Sequence, residues 1–332
     1  MKDMPEDHID PTPYHDSHIR PVDILRDLNP IADLVEACFS TTMDEDGRAY
    51  IRQLRRSAEK ASRLAWATRY VEDFVPPIKG FIWEEDGVLI GNLTLIPFRK
   101  DGHLHNLIAN VAVLPEYRRR GIAEKLTHTA LRYTQQNGNL PIWLQVRDDN
   151  PAAETLYRKL GFSERTRRTT WHFRSDHTQP PIPSAPEGMS IRASWWRDWR
   201  EQQALLLTLN PPEINWNLQV DFNAFKPGFL SHILGTLPGD TNRSWCLYRE
   251  NTLIGLIAWE AARNWADNLW VGCQADEVEP TLYYLLPQAL NAIMRHRPQS
   301  LNISSSLGAE LLEKIGFERH YTLIWMEYQP RT

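Results

Sequence analysis

The chain has 332 residues, long for a single hydrophobic core, and that length favours two domains. Hydrophobic residues make up 42% and charged residues 24%, an ordinary globular composition, and the net charge of −5 excludes any general attraction to nucleic acid or an anionic membrane. Cys38, Cys246 and Cys273 are odd in number and far apart, which suits buried thiols in a reducing cytoplasm. No His/Cys set has metal-ligand spacing, so no metal is expected, and the apolar runs are strand-length, too short to span a bilayer. The N-terminus has no apolar secretory core, and the sequence reads as that of a soluble cytoplasmic protein.

Residues 1–18 are polar, carry Pro5, Pro11 and Pro13, and read as a disordered tail whose histidines are solvated. A short strand is expected at 19–21, then a helix through Ile31, Leu34, Val35 and Phe39. A second amphipathic helix is expected over about 49–70, with Ile51, Leu54 and Ala58 on one face. Asp86-Gly87 between two apolar runs predicts a hairpin. A strand at about 104–113, a helix at 121–136, a strand at 141–146, a short helix at 152–160 and a strand including 169–173 complete the first half. That order, β-α-α-β-β-β-α-β-α-β, is α/β, a mixed sheet of the α+β type, over residues 19–175. Residues 176–188 form a Pro-rich linker. Residues 189–330 repeat the outline, most visibly Tyr157-Arg-Lys-Leu-Gly-Phe162 against Leu312-Glu-Lys-Ile-Gly-Phe317.

The chemically informative stretch runs from Asn110 to Ala123. A strand ends at Val113, a turn carries Pro115, and Gly121 opens a helix whose first N–H groups have no intrahelical partner. That arrangement suits a pyrophosphate, with Arg118, Arg119 and Arg120 adding fixed positive charge and Gly121 permitting close approach. The stretch lacks the Lys-Ser/Thr of a P-loop and the glycine pattern of a Rossmann turn. Arg118-x-x-Gly121-x-Ala123 resembles motif A of the GCN5-related N-acetyltransferases. Asn150-Pro-Ala-Ala-Glu-Thr-Leu-Tyr157-Arg-Lys-Leu-Gly-Phe162 resembles the same family's closing motif. The resemblance covers residues 19–174 well and 189–328 as a degraded copy, which implies two tandem folds of the family.

The resemblance implies acetyl-CoA as cosubstrate, with the pantetheine arm lying between two splayed strands. Backbone groups of Val111, Ala112 and Val113 would pair with that arm. The N–H groups of Arg119, Arg120, Gly121, Ile122, Ala123 and Glu124 would hold the pyrophosphate beside Arg118. Asn150 would hydrogen-bond the arm, and Tyr157 would protonate the departing thiolate as general acid. The acceptor implied is an amine on a small molecule or peptide, and the protein a monomer or homodimer. Relatives often carry a Glu base at positions that here are Leu107 and Gln145, neither of which takes a proton. His105 or an ordered-water relay is left for that role.

In the second half the motif A counterpart reads Leu269-Trp-Val-Gly-Cys-Gln-Ala-Asp-Glu-Val-Glu279, where Asp276, Glu277 and Glu279 would repel phosphate. Tyr157 and Asn150 become Leu312 and Ser305. One working site per chain is the expectation. The alternative to an amine acyltransferase is a non-catalytic acyl-CoA sensor that kept the cofactor site without turnover.

Overall fold

A computed structural model describes residues 16–41, 43, 45–64, 79–100, 103–138, 140–211, 214, 220–226, 242–262 and 265–329. Most of the expected N-terminal tail, and the end of the second helix beyond residue 64, lie outside these residues. The chain divides into two compact units. The first comprises Met1–Gln145, Pro151–Ser163 and Met326–Thr332, the second Val146–Asn150 and Glu164–Trp325.

The first unit is built from β1 (Ile19–Pro21), α1 (Ile24–Phe39), α2 (Glu45–Leu64), β2 (Lys79–Glu85), β3 (Val88–Lys100) and β4 (His103–Val113). Next come α3 (Ile122–Gln136), β5 (Ile142–Arg147) and α4 (Pro151–Lys159). The strand order is β1-β2-β3-β4-β5, antiparallel except for the parallel β4–β5 pair. Asp23 caps α1, its carboxylate accepting the Leu25 N–H at 2.9 Å. Ile31, Leu34 and Val35 of α1 pack with Ile51 and Leu54 of α2 and Ile82 of β2. The Asp86-Gly87 turn has φ of 49° and 77°, the left-handed pair that a two-residue hairpin needs. β5 is buried at Ile142, Trp143, Leu144 and Val146, the continuous apolar run of a strand covered on both faces.

The second unit contains β6 (Phe162–Phe173), β7 (Met189–Ala193), α5 (Trp199–Leu209), β8 (Asn242–Arg249) and β9 (Thr252–Glu260). It continues with β10 (Asp267–Cys273), α6 (Val278–Ala292), β11 (Gln299–Ser304), α7 (Ala309–Ile315) and most of β12 (Glu318–Tyr328). Its strand order includes β6-β11-β10-β9-β8-β7. The hairpin turn Glu250-Asn251 repeats the left-handed geometry of Asp86-Gly87, with φ of 47° and 70°. β10 and β11 are parallel, like β4 and β5.

The sequence repeats and the compact units do not coincide. β6 closes the first repeat in sequence, yet it pairs antiparallel with β11 of the second unit, from Phe173↔Gln299 to Arg168↔Ser304. Conversely, the chain's last residues belong to the first unit. There Gln329 donates its N–H to the Gly161 carbonyl at 3.1 Å, and the Tyr328 ring lies 5.4 Å from Phe162. Each sequence repeat thus contributes its final segment to the other unit's fold.

Candidate active site

The decisive backbone feature is a bulge in β4. Asn92 of β3 faces Ala112, but Thr94 faces Ala109, so β4 carries one extra residue across that interval. Asn110 absorbs it with φ of 51°, a left-handed conformation that Asn tolerates better than most residues. Fully buried Asn92 donates its Nδ2 to the Asn110 carbonyl at 3.0 Å. Asn110 in turn donates its own Nδ2 to the Tyr50 hydroxyl at 2.7 Å. Burial pushes the Tyr50 phenol up, so it stays protonated in the neutral range. The parallel ladder between β4 and β5 runs only through Asn106↔Ile142, Leu107↔Trp143 and Ile108↔Leu144. It ends just before the bulge, and the two strands part there.

Val111, Ala112 and Val113 follow the bulge along this edge of β4. The Val113 carbonyl is already engaged, accepting from Arg118 Nε at 3.1 Å and from the Cys38 thiol at 3.3 Å. Arg118 therefore anchors the turn to the strand end in addition to contributing charge. After the short helical turn Pro115–Tyr117, Arg119 has φ of 66° and Gly121 φ of 78°. Left-handed residues set among right-handed and extended ones turn successive N–H groups into one concavity that suits an anion. The first helical bond of α3 is Lys125 N–H to the Gly121 carbonyl, so the N–H groups of Ile122, Ala123 and Glu124 precede the ladder. Among the described residues nothing beyond its own chain neighbours lies within 4 Å of where a Gly121 Cβ would stand, so the space there is open.

Charge at this end is arranged for an anion. Arg118, Arg119 and Arg120 are exposed, and the Arg120 guanidinium is set over the Tyr117 ring, 4.7 Å from its centroid. Glu124 at the start of α3 accepts from Lys159 Nζ at 2.7 Å, which offsets its charge and holds its carboxyl below the usual range.

Tyr157 lies on α4 with its ring 7% exposed and edge-on to Phe162 at 5.9 Å. Burial pushes its phenol well above the ordinary tyrosine range. Asn150 falls in the second unit, at the turn before α4, where its N–H donates to the Arg147 carbonyl at 3.1 Å. His105 is buried near the start of β4, opposite Phe98 in register and stacked on its ring at 5.2 Å. At about 3.3 Å per residue it stands nearly 20 Å along the strand from Val111. Gln145 is the first residue of β5 beyond the ladder, and its Nε2 is buried without a partner among the described residues. Asn92 and Tyr50 were not singled out from the sequence, and Gln145 was named there only as a residue that cannot serve as base. Only the isolated Asn110 in an apolar strand hinted at the bulge.

The corresponding place in the second unit is filled by the protein itself. β10 pairs with β9 in unbroken register from Asn268 to Cys273, so it has no bulge. Arg168, 2% exposed, donates to the Asn302 side chain at 2.5 Å, the Asn302 carbonyl at 2.8 Å and Asn210 Oδ1 at 2.8 Å. Asn210 Nδ2 then reaches the Val271 carbonyl at 3.2 Å, so a polar bridge links β11 to β10. At the head of α6, Glu277 takes the cap position and binds Arg249 through both guanidinium nitrogens, at 2.5 and 2.9 Å.

Residues 41–162 match the family described as the acetyltransferase (GNAT) family. An N-alpha-acetyltransferase of Sulfurisphaera tokodaii is 31% identical over 119 residues, 32% of this chain and 68% of that protein. The chain belongs to the GNAT family. The ribosomal protein bS18 alanine N-acetyltransferase of Escherichia coli is 36% identical over 73 residues, 22% of this chain and 49% of the relative. The chain thus spans about half the length of that group of curated relatives. A tandem GNAT protein from the clavulanic acid biosynthesis pathway aligns over 95% of this chain and 99% of its own, at 17% identity and a TM-score of 0.50. The GNAT fold therefore occurs here as a tandem pair. Among the described residues no cluster of His, Cys, Asp or Glu could hold a metal ion, and no helix is long and apolar enough to cross a membrane.

Proposed function

We propose that the first unit binds acetyl-CoA and transfers its acetyl group to an amine on a small molecule or peptide. The observation that carries this reading is the pairing of the Asn110 bulge with the open N–H cradle that begins at Arg119, nine residues further on, and runs to Glu124. The bulge frees a strand edge at Val111, Ala112 and Val113 for the pantetheine arm, and the cradle with Arg118, Arg119, Arg120 and Gly121 takes the pyrophosphate. Ile122, Ala123 and Glu124 supply the last N–H groups, and Asn150 a contact to the arm. The buried Nε2 of Gln145 seeks an acceptor at the parting point, and a thioester carbonyl is one.

In this reaction the amine nitrogen attacks the thioester carbonyl carbon, the C–N bond forms and the C–S bond breaks. Tyr157 would face the leaving thiolate with a hydroxyl that burial keeps protonated in the neutral range. The proton lost by the amine passes to water, because Leu107 and Gln145 cannot accept it and His105 stands far along the strand. That missing carboxylate is the one feature that favours the second reading, an acyl-CoA sensor without turnover.

Calorimetry with acetyl-CoA and free-thiol release over an amine panel test both. The enzyme reading expects one site per chain and thiol release that depends on the amine. Two equivalent sites would overturn the assignment of a single working unit. Tight binding with no thiol release from any amine would leave the sensor.

A further inference from the structure

Two helix ends meet at the cradle of the first unit. α3 opens with the N–H groups of Ile122, Ala123 and Glu124, and α4 ends at Lys159, whose Nζ donates to Glu124 Oε1 at 2.7 Å. The end of α4 is firmly held. Leu160 N–H donates to the Leu156 carbonyl at 3.1 Å, and Gly161 N–H, at a left-handed φ of 98°, to the Arg158 carbonyl at 3.1 Å. Arg158 turns back along its own helix to Glu154, at 2.8 and 2.9 Å. Lys159 instead leaves its helix and reaches a residue 35 positions earlier in the chain. Lys125, the next cation along α3, turns to β2, where its Nζ binds Asp16 at 2.8 Å and stands 5.0 Å from the Trp83 ring centroid.

Glu124 is a conflicted residue for an anion cradle. A carboxylate in the first turn suits the macrodipole of an empty helix end, yet it repels an anion that arrives there. Lys159 offsets that charge and holds the carboxyl below its usual range. The pair is exposed, 65% for the Lys159 side chain and 32% for that of Glu124, so it adds little to stability. Exchanging Glu124 for a stronger anion therefore costs little. Coenzyme A carries such an anion beyond its pyrophosphate. The ribose 3′-phosphate is a monoester with about 1.5–2 negative charges at pH 7. It lies one ribose from the pyrophosphate, and the Lys159 ammonium lies one glutamate side chain from the cradle. Arg118 is tied to the Val113 carbonyl and Arg120 is set over Tyr117, which places both at the turn that precedes α3. Lys159 is the cation that α4 brings.

We propose that Lys159 recognises the 3′-phosphate of coenzyme A, exchanging Glu124 for it, and so selects the 3′-phosphorylated coenzyme over its dephospho form. The proposal rests on the acetyl-CoA reading above and adds recognition of the nucleotide end to it.

The test compares acetyl-CoA with 3′-dephospho-acetyl-CoA by calorimetry on the full chain. Wild type should bind acetyl-CoA roughly tenfold or more tighter, the size of one hydrogen bond between charged groups. Lys159→Gln should weaken acetyl-CoA by that factor and leave the dephospho form within about threefold, so the preference collapses. Lys159→Arg should retain most of the preference. Arg120→Gln should weaken both coenzymes alike, and Arg158→Gln should leave their ratio unchanged. Circular dichroism and melting temperatures near wild type would show that the variants are folded. Equal affinity of wild type for the two coenzymes, a preference that survives Lys159→Gln, or one that disappears in Arg120→Gln would each overturn the proposal. Failure of wild type to bind either coenzyme would instead sink the acetyl-CoA reading on which it stands.

Discussion

Replacing Tyr157 by Phe separates two kinds of help that a tyrosine can give to a leaving thiolate. Burial raises the phenol well above its ordinary range, while a thiol ionises near 8.5, so full proton transfer to the thiolate runs uphill. The hydroxyl then acts mainly as a hydrogen-bond donor to a growing negative charge. A bond of that kind contributes about 1.5–3 kcal/mol, which corresponds to roughly a ten- to 150-fold fall in kcat for Tyr157→Phe. Complete general-acid catalysis would give about a hundred- to ten-thousandfold, so the size of the loss distinguishes the two. The phenyl ring keeps its packing on Phe162, and acetyl-CoA affinity and melting temperature should stay close to wild type. Pre-steady-state thiol release with a saturating amine measures the chemical step directly. The sign with pH also follows: a phenol whose ionisation is pushed up stays protonated through pH 10, so it adds no falling limb below that pH. An unchanged rate, or a limb near pH 10 that vanishes in Tyr157→Phe, would refute this account.

Gly121→Asp should stay folded at a cost of about 1–2 kcal/mol for its left-handed backbone, yet lose acetyl-CoA affinity at least tenfold, as read by calorimetry. Asn110→Val places a β-branched residue at φ of 51° and should cost at least about 1–2 kcal/mol and weaken acetyl-CoA binding. Asn110→Gly keeps the bulge and should bind within about threefold of wild type; equal losses in the two variants would mean that the bulge is not what frees the strand edge. Arg168→Leu leaves the buried Asn210 and Asn302 groups without their donor and should destabilise the protein by about 2–4 kcal/mol in denaturant titration, with no gain of a second acetyl-CoA site. Thiol labelling of the native protein should reach only Cys38, since Cys246 and Cys273 are fully buried with thiols pushed up to about 12, and all three should label once denatured.

Much of the first unit was legible in the sequence because its signals are local. The Asp86-Gly87 turn, the apolar run of β5 and the Arg118-x-x-Gly121-x-Ala123 helix start each state their conformation within a few residues. The duplication was visible at Gly161-Phe162 and Gly316-Phe317, and the acidic turn at Asp276-Glu277 set the expectation that the second copy lacks an anion site. The polar bridge in the second unit was not legible, because Arg168, Asn210 and Asn302 meet only through tertiary packing. The bulge was hidden for a related reason: one Asn in an apolar strand fits many registers, and only pairing with β3 counts the extra residue. The strand β12 was not singled out, although Thr322-Leu-Ile-Trp-Met has the β-rich character of one. Its placement does not follow from local pattern, since it depends on residues more than 170 positions apart, as Asp148 and Arg319 are.

The crossing-over of final segments sets a timetable for synthesis. The first unit needs Met326–Thr332, yet the rest of it is complete by Ser163, which is 163 positions earlier. At a ribosomal pace of about 5–20 residues per second, the first unit waits roughly 8–30 s with a face of its sheet incomplete. A nascent chain in that interval exposes strand edge to its surroundings, the situation that chaperones relieve. A gene cut at the Pro-rich linker would make the wait permanent. Neither half should then fold alone, while co-expressed halves should recover each other.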